Sequence, residues 1–439
     1  MFSETSTVSR GRCYVATQGI SAGQLIHEET PLLCYLTHHD PLLDPIEKSL
    51  LTSFPSDISP SSCILSYRLS KLTHDLKVHS QIMGLCSHHP NMDPRQLEGM
   101  LECCEIIHRM IPSIDKHSIL EIIQRVCLNA FTITDDTLQP MGIGLYPRAS
   151  RFNHSCDPNA TQSFTHTKAS FVLKIHANRF IAKGEEILIS YIDLTYPTWW
   201  RRQQLYRSYG FFCNCRRCVG VCDESKLRCG RPGCQRGYLD AAVTYSSAQY
   251  RLCLQGYVDP DPFAADSSQL PIALIYGNAK VLSSKSLKFR CLKCHSPFLA
   301  KDLRRSCSQI SNMYAKHQQS SMQSTETYGA IIEKLHSLLF NDDYALLRVK
   351  SEYATELILA QGFHSARIVM ESYLDAMRSL CLPSNHFPFL QMYQLGKLMV
   401  YEGDTSRGLG LIREAVDRLI IMLGTRHPLV QQANAAMMG

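Results

Sequence analysis

The 439-residue sequence lacks any apolar run of the ~18–20 residues that a membrane-spanning helix needs. Its first residues, Met1 to Arg12, also lack the apolar segment of a secretory signal peptide. We therefore expect no membrane association and a location in the cytoplasm, the nucleus or both. Since thiols stay reduced in these compartments, the 19 cysteines are not expected to form a disulfide framework.

A long stripe of basic residues is missing as well. The net charge is only +6, and no basic run exceeds the pairs Arg201-Arg202 and Arg216-Arg217. Dedicated nucleic-acid-binding domains carry a basic face, so nucleic acid is not the expected partner. Apolar residues make up 45% of the chain, which excludes general disorder. At roughly 100–200 residues per domain, the length corresponds to two to four domains.

The hydrophobic pattern changes several times along the chain. Residues 11–36 predict short strands around a turn at 21–23, and residues 44–128 show the three- and four-residue spacing of helices. Alternation returns in 170–177 and 186–192, which predicts further strands. After about residue 325 the pattern is helical again. The predicted helices are 327–339, 342–360, 363–380, 388–401, 404–423 and 427–438, with stops at Gly362, Pro383, Gly403 and Gly424.

These carboxy-terminal helices have two interpretations. Paired helices of this size at roughly 34-residue spacing resemble a tetratricopeptide-like array, although the repeat consensus is poor. An ordinary helical bundle explains the same pattern. In either form we expect this region to serve as a scaffold and to offer a surface for protein partners.

Three cysteines stand close together in the middle of the chain. Cys213, Cys215 and Cys218 can hold one zinc ion from a single short loop, and the fourth ligand must then come from elsewhere. Three buried free thiols are the alternative. The flanking Asn214, Arg216 and Arg217 are poor core residues, so zinc is favoured.

Two further cysteine pairs follow, and they are separated by a long insertion. Cys229 with Cys234 and Cys291 with Cys294 have the spacing of the two knuckles of a zinc ribbon, with Cys222 and His295 as substitute ligands. The eight cysteines together predict two zinc ions. The other cysteines, which include Cys103, Cys104 and Cys127, lie in apolar segments and are interpreted as core residues.

A polar turn occupies residues 151–159, with the sequence Arg-Phe-Asn-His-Ser-Cys-Asp-Pro-Asn. Asn and Asp side chains commonly bond their own backbone, so the segment can be purely structural. Alternatively, Asn153 and His154 hold a polar ligand and Cys156 is the missing zinc ligand. The residues alone leave both interpretations open.

Three motifs in this order resemble the core of SET-domain protein-lysine methyltransferases: the turn 153–159, the segment 184–191 and the cysteine cluster at 213–218. Additional segments resemble the SET-and-MYND (SMYD) type. These segments are 128–133, 142–147, 190–194, 209–213, 401–404 and 427–430. The resemblance covers most of the chain apart from about 40–115 and 240–288.

The cysteine spacing of the family's MYND zinc finger has no counterpart. The nearest approach is a scattered set that we interpret as helix surface and core: Cys86, His88, His89, Cys103, Cys104 and His108. Partner binding through such a finger is therefore not expected.

The resemblance implies an α+β fold. Its centre is a knot-like SET β fold in which the Asn153-His154 segment threads beneath a loop near Tyr191. The implied regions are an amino-terminal SET part at 1–40, a helical insertion at 41–128, the SET core at 129–210, a zinc-binding post-SET region at 211–235, a zinc ribbon with a long insert at 229–300, and the TPR-like helical domain at 325–439.

The resemblance also implies the reaction, which is methyl transfer from S-adenosylmethionine to a lysine of a histone or another protein. Tyr191 is the first choice for the catalytic position and Tyr209 the second, because both would flank the lysine channel. The implied cofactor residues are Arg10, Gly11, Arg12, Asn129, Ser150, Asn153, His154, Tyr191 and Phe211. Cys156 would join Cys213, Cys215 and Cys218 on zinc.

Two departures from the family motivate an alternative function. One is the missing MYND finger. The other is that the family's Gly-x-Gly turn reads Gly11-Arg12-Cys13 here, and a side chain at Cys13 would crowd the cofactor if that position needs a positive φ or a close approach of the backbone. The alternative is a catalytically weak SET-like scaffold for protein interaction. A third hypothesis, a zinc-ribbon nucleic-acid binder, rests on the basic residues interleaved with cysteines at 216–236.

Overall fold

The structure is a computed structural model. It describes residues 1–7, 11–37, 47–48, 58–87, 94–166, 170–196, 198–219, 227–229, 231, 233–234, 238–240, 288–291, 293–319, 325–339, 343–380 and 384–438. Arg10, Cys222, His88, His89 and most of the insertion predicted at 240–288 therefore lie outside the described residues. Two compact units make up the chain. The first contains Met1–Leu194, Trp200–Val221 and Arg413–Gly439, and the second contains Thr195–Trp199 and Cys222–Ile412.

The first unit contains several small sheets. In its described part, β1 pairs with β2, β9 lies between β3 and β8, and β6 lies between β4 and β5, all antiparallel, while β7 and β10 form a parallel pair. The strands are β1 (Phe2–Thr7), β2 (Gly11–Ala16), β3 (Leu25–Glu29), β4 (Leu33–Leu36), β5 (Ala130–Thr134), β6 (Pro140–Leu145), β7 (Asn153–His154), β8 (Ala160–His166), β9 (Phe171–Ala177) and β10 (Leu188–Ile189).

The strand β9 forms the centre of the main core. Six of its seven residues are buried, and Phe171, Leu173, Ile175 and Ala177 form an apolar face, while the opposite face carries Lys174 and His176. Leu173 and Ile175 are fully buried and pack in one cluster with Tyr146 and Phe152.

The short parallel pair holds the polar turn in place. Asn153 pairs with Leu188 and His154 with Ile189, and the next backbone N–H, that of Ser155, donates to the carbonyl of Ile189 at 2.9 Å. This crossing places the Asn-His segment directly beside the loop that carries Tyr191.

The central strand β6 depends on a glycine. A Cβ atom at Gly142 would lie 2.2 Å from the carbonyl oxygen of Tyr35 on the neighbouring strand. No side chain fits at that distance, so the close pairing of β4 with β6 requires glycine at this position.

The first unit contains helices in the region 41–128, where the helical insertion was predicted. Asp75 and Asp115 cap two of them, since their carboxylates accept from backbone N–H groups of the first turn. Cys63, Met100, Cys103 and others fill the core between these helices. The helices are α1 (Pro60–Lys71), α2 (Leu76–Met83), α3 (Pro94–Met110), α4 (Lys116–Asn129), α5 (Thr198–Tyr209) and α6 (Arg216–Val219), and a 3-10 turn spans Ala149–Arg151.

The second unit combines an antiparallel four-stranded sheet with a run of helices; the second-to-last helix passes from the second unit into the first, and the last helix belongs to the first unit. The strands are β11 (Leu227–Arg228), β12 (Tyr238–Asp240), β13 (Lys288–Cys291) and β14 (Pro297–Leu299). The helices are α7 (Ala300–Gln319), α8 (Thr325–Leu338), α9 (Tyr344–Leu359), α10 (Phe363–Leu380), α11 (Phe387–Tyr401), α12 (Thr405–Leu423) and α13 (Pro428–Met438).

The α+β fold class predicted from the sequence is confirmed, as is the helical carboxy-terminal region. Several described elements were not predicted individually, among them β1, β5, β6, β8, α5 and α7. The described helices include none that is long and apolar enough to cross a membrane.

Candidate functional site

Four cysteine sulfurs meet in the first unit. The Sγ atoms of Cys156, Cys213, Cys215 and Cys218 lie within 4.8 Å of one another, and all four side chains are buried. Cys156 is 3.5 Å from Cys218 and 4.0 Å from Cys213, measured between sulfurs. Thiolates bound at ~2.3 Å in a tetrahedron lie ~3.8 Å apart, so this first cluster fits one zinc ion. The structure brings Cys156 to the other three, as the resemblance implied.

The four thiols share their protons unevenly. Hydrogen bonding with Cys156 lowers the pKa of the Cys213 thiol and lowers the pKa of Cys215 to about 5, whereas the pKa values of Cys156 and Cys218 are raised. Thiolates are the form of cysteine that binds metal. Arg217 lies beside the cluster and donates to the carbonyl of Leu194 at 2.9 Å, which ties α6 to the core.

Four further cysteine sulfurs meet in the second unit. The Sγ atoms of Cys229, Cys234, Cys291 and Cys294 lie within 4.8 Å of one another. The separation is 3.7 Å for Cys229 and Cys294, and 3.6 Å for Cys234 and Cys291. The backbone N–H groups of Lys293 and Cys294 each donate to Sγ of Cys291 at 3.4 Å. Such donors stabilise a thiolate, so this second cluster also fits zinc.

The other predicted ligands do not join either cluster. The backbone of His295, which follows Cys294, has a left-handed conformation with φ 59°. Its imidazole is not part of the group of four possible metal ligands. Cys222 lies outside the described residues. Cys103 and Cys104 are buried in the helical core, as predicted, and Cys127 is half-buried against the same core.

A pocket of about 100 Å³ opens in the first unit at the carboxyl end of α4. It brings together four of the predicted site residues from four separate segments: Asn129, Ser150, Tyr191 and Tyr209. The remaining lining residues were not predicted as site residues, and they are Leu128, Ala130, Phe131, Thr132, Gln162 and Ser190. The polar Gln162 on β8 could not have been found, because β8 itself was not predicted.

The two tyrosines form one wall of this pocket. Their ring centroids are 4.9 Å apart, with an interplanar angle of 48°. Burial raises the pKa of Tyr191 above its ordinary value and the pKa of Tyr209 to about 12, so both hydroxyls are protonated at neutral pH. Tyr191 donates its proton to the carbonyl of Phe152 at 2.7 Å. The Tyr209 hydroxyl has no hydrogen-bond partner in the described part of the chain.

His154 lies behind Tyr191 and faces the first cysteine cluster. The backbone N–H of Tyr191 donates to its Nδ1 at 3.0 Å, so this nitrogen carries no proton. The protonated Nε2 then points at Sγ of Cys156, 3.3 Å away. One imidazole therefore contacts both the pocket wall and the cluster, and the side chain is occupied by these two contacts.

Asn129 and Ser150 offer polar atoms to the pocket. The Asn129 amide donates to the carbonyls of Cys86 and Arg125, both at 2.8 Å, which fixes the side chain. Its Oδ1 accepts no hydrogen bond from any described residue. Ser150 donates to the carbonyl of Pro147 at 3.1 Å. An amide oxygen and a hydroxyl oxygen can therefore receive the ammonium or hydroxyl groups of a polar cofactor.

The other predicted cofactor residues lie outside the lining of this pocket. Asn153 donates to the carboxylate of Glu186 at 2.9 Å. Arg12 donates to the carbonyl of Gly84 at 2.7 Å. The ring of Phe211 lies 6.2 Å from that of His154, beside the first cluster.

The backbone of the turn at 11–13 is left-handed at Gly11 but not at Cys13. Gly11 has a positive φ of 67°, whereas Cys13 is not among the described residues with a positive φ. Cys13 is an ordinary buried strand residue that pairs with Thr5. The backbone at Cys13 therefore imposes no strain, and the positive-φ argument for a catalytically weak scaffold is not supported.

Residues 11–192 match the family model described as SET domain. The chain is 25% identical over 371 residues to the histone-lysine N-methyltransferase ASHR1 of Arabidopsis thaliana, which covers 81% of this chain and 68% of that protein.

Two shorter matches have higher identity. The mouse histone-lysine N-methyltransferase SMYD3 is 35% identical over 154 residues, and the zebrafish N-lysine methyltransferase SMYD2-A is 40% identical over 114 residues. These alignments cover 35% and 26% of this chain, and they span only 32% and 25% of the two relatives.

A solved structure has a more distant likeness. The SET domain of LSMT bound to lysine and AdoHcy is 12% identical to this chain. The match covers 81% of this chain and 76% of that one, at a TM-score of 0.34.

Proposed function

Because this chain contains a SET domain of the SMYD type, we propose that it is a protein-lysine N-methyltransferase that takes its methyl group from S-adenosylmethionine. The observation that carries the proposal is the pocket in which Tyr191 and Tyr209 face Asn129 and Ser150. The curated relatives are named as histone-lysine or N-lysine methyltransferases, which supports a protein lysine, histone or non-histone, as the acceptor.

The residues present fit the cofactor. The unpartnered amide oxygen of Asn129 and the hydroxyl of Ser150 suit the polar groups of S-adenosylmethionine. Asn153 and His154 lie on the adjoining crossing, and the ring of Phe211 lies near that of His154. Arg10, Gly11 and Arg12 are proposed to lie near its amino-acid end. When bound, the cofactor supplies an electrophilic methyl group on a sulfonium.

The pocket prepares the lysine by lowering the pKa of its amine. A free lysine, with a pKa of ~10.4, is mostly protonated at neutral pH and has no lone pair to attack with. Leu128, Ala130 and Phe131 give the pocket apolar walls. Transfer into such surroundings disfavours the ammonium form.

The tyrosines then orient the amine. Tyr191 is fixed by its bond to Phe152, so its ring is a rigid wall. The unpartnered hydroxyl of Tyr209 can accept an N–H of the amine and direct the lone pair away from itself. Holding reactants in line can contribute several kcal/mol to the lowering of the barrier.

We further propose that each cysteine cluster binds one Zn²⁺ as a structural ion. The first cluster would join the end of α5 and the segment after it, which carry Tyr209 and Phe211, to the turn that carries His154. The second would hold the short sheet of the second unit against its helices. The carboxy-terminal helices are proposed as a surface for protein partners.

Calorimetry with S-adenosylmethionine tests the proposal. The wild-type protein is expected to bind, and Ser150→Ala is expected to weaken binding by about 1–3 kcal/mol, because it removes one polar group of the pocket. Gln432→Ala, at an exposed position of α13, serves as the control. Absence of binding to the wild-type protein would contradict the proposal.

A further inference from the structure

The Gln162 amide is a polar group of the pocket that the proposed function does not use. Gln162 lies on β8, paired with Ile175 of β9, and lines the same pocket as Tyr191 and Tyr209. Its Nε2 donates to the backbone carbonyl of Ser190 at 2.8 Å. Since a carbonyl only accepts, this bond fixes which end of the amide is nitrogen and which is oxygen.

The bond partner of this amide is itself fixed. Ser190 follows β10 directly, and its hydroxyl donates to the carbonyl of Ile192 at 2.7 Å. The backbone N–H of Ile192 returns to the same hydroxyl at 3.3 Å. The Ser190 carbonyl is therefore part of a small closed turn, and the Gln162 amide is positioned by it.

The other end of the amide is open. Gln162 Oε1 accepts no hydrogen bond from the residues that the structure describes, and it is not among the buried polar atoms left without a partner. It is thus an accessible acceptor on the pocket wall. An amine in the pocket can donate one N–H to it, in addition to the contact offered by Tyr209.

We propose that Gln162 determines product specificity by holding one N–H of the substrate amine, so that transfer stops at dimethyllysine. This inference rests on the proposed methyltransferase function. In each transfer the amine lone pair forms the new C–N bond. The bond from the methyl carbon to the sulfonium sulfur breaks with its electron pair left on sulfur, and the product ammonium releases one proton to water.

The limit follows from counting N–H groups. Neutral lysine has two, neutral monomethyllysine has one, and neutral dimethyllysine has none. The first two can donate to Gln162 Oε1 while the lone pair attacks. A third transfer would place a methyl group against Oε1 and leave this acceptor without a partner, which slows that transfer.

Mass spectrometry of products tests the inference. The probes are core histones and a peptide library with a central lysine that is unmodified, monomethylated or dimethylated. The wild-type protein is expected to convert the first two peptide forms and to leave dimethyllysine unconverted. Gln162→Met has nearly the same side-chain volume but no amide oxygen. It is expected to raise trimethyllysine formation about ten-fold or more, because a third methyl group no longer leaves an acceptor without its hydrogen bond.

Ser163→Ala is the matched control. Ser163 is the next residue on β8 and is buried on the opposite face of the strand. The products of Ser163→Ala should therefore match those of the wild-type protein. If Gln162→Met does not fold, the assay of wild-type protein on the dimethylated library still decides. Trimethyllysine as a main wild-type product, or equal products from wild type and Gln162→Met, would overturn this inference but not the proposed function. Absence of any methyl transfer overturns the proposed function and this inference with it.

Discussion

The backbone N–H of Tyr191 donates to Nδ1 of His154 at 3.0 Å. The opposite nitrogen of the same ring faces Sγ of Cys156 at 3.3 Å. The imidazole therefore connects the wall of the pocket with the first cysteine cluster. Metal-binding groups held by such neighbouring donors have a fixed orientation. A substitution in the cluster should therefore affect the pocket, and a substitution at the pocket wall should affect metal binding by the cluster.

Replacing His154 should weaken both ends of this connection. His154→Phe keeps an aromatic ring beside Tyr191 but removes both hydrogen bonds. We expect the free energy of unfolding to fall by about 1–3 kcal/mol, and zinc to be lost to a chelator at ~10–100-fold lower concentration. Denaturant titration and chelator competition measure the two effects. His166→Phe, at the exposed end of β8, is the control; equal behaviour of both variants would contradict the proposed connection.

The two cysteine clusters should lose metal independently. We expect about two zinc ions per wild-type chain, and one after either Cys156→Ser or Cys291→Ser, because each variant disrupts one four-sulfur set. Metal analysis of the purified variants gives the count. A Cys156→Ser variant that keeps its full metal content would show that Cys156 is not a ligand.

Acid should destabilise the first unit through His176. Burial, together with Lys174 and His427, lowers the pKa of His176 to about 4. Because the folded pKa lies below the ordinary ~6.5, the unfolded chain takes up the proton first as the pH falls. The stabilisation is present above pH ~6.5 and is lost between pH ~6.5 and ~4, by up to about 3 kcal/mol. His176→Gln should flatten this part of the stability curve; an unchanged curve would contradict the assignment.

The sequence predicted the cysteines better than the pocket. Metal ligands have short, recognisable spacings, so Cys213, Cys215 and Cys218 could be recognised directly. Cys156 is 57 residues from Cys213, and no local pattern joins them. Its place on the cluster was predicted only from the resemblance, because the strand crossing that brings it there is a tertiary feature.

The pocket depends on such tertiary features throughout. Phe131, Gln162 and Ser190 come from three segments that the strand pairing brings together. The predicted strand at 186–192 also proved too long, since β10 spans only Leu188–Ile189 and Ser190 and Tyr191 follow in an irregular loop. Side-chain hydrogen bonds, not a ladder, fix that loop, and hydrophobic alternation does not report them.

The central claim is that the pocket at Tyr191 is where a lysine is methylated. Its most direct test is methyl transfer from labelled S-adenosylmethionine to core histones and cell-extract proteins, comparing wild type with Tyr191→Phe. This variant removes one hydroxyl and its bond to Phe152, so stability should change by only about 1 kcal/mol. Turnover should fall about ten-fold or more, because the ring that forms the pocket wall is no longer fixed in place beside the amine that Tyr209 orients. Equal labelling by both proteins, with folding intact, would contradict the account.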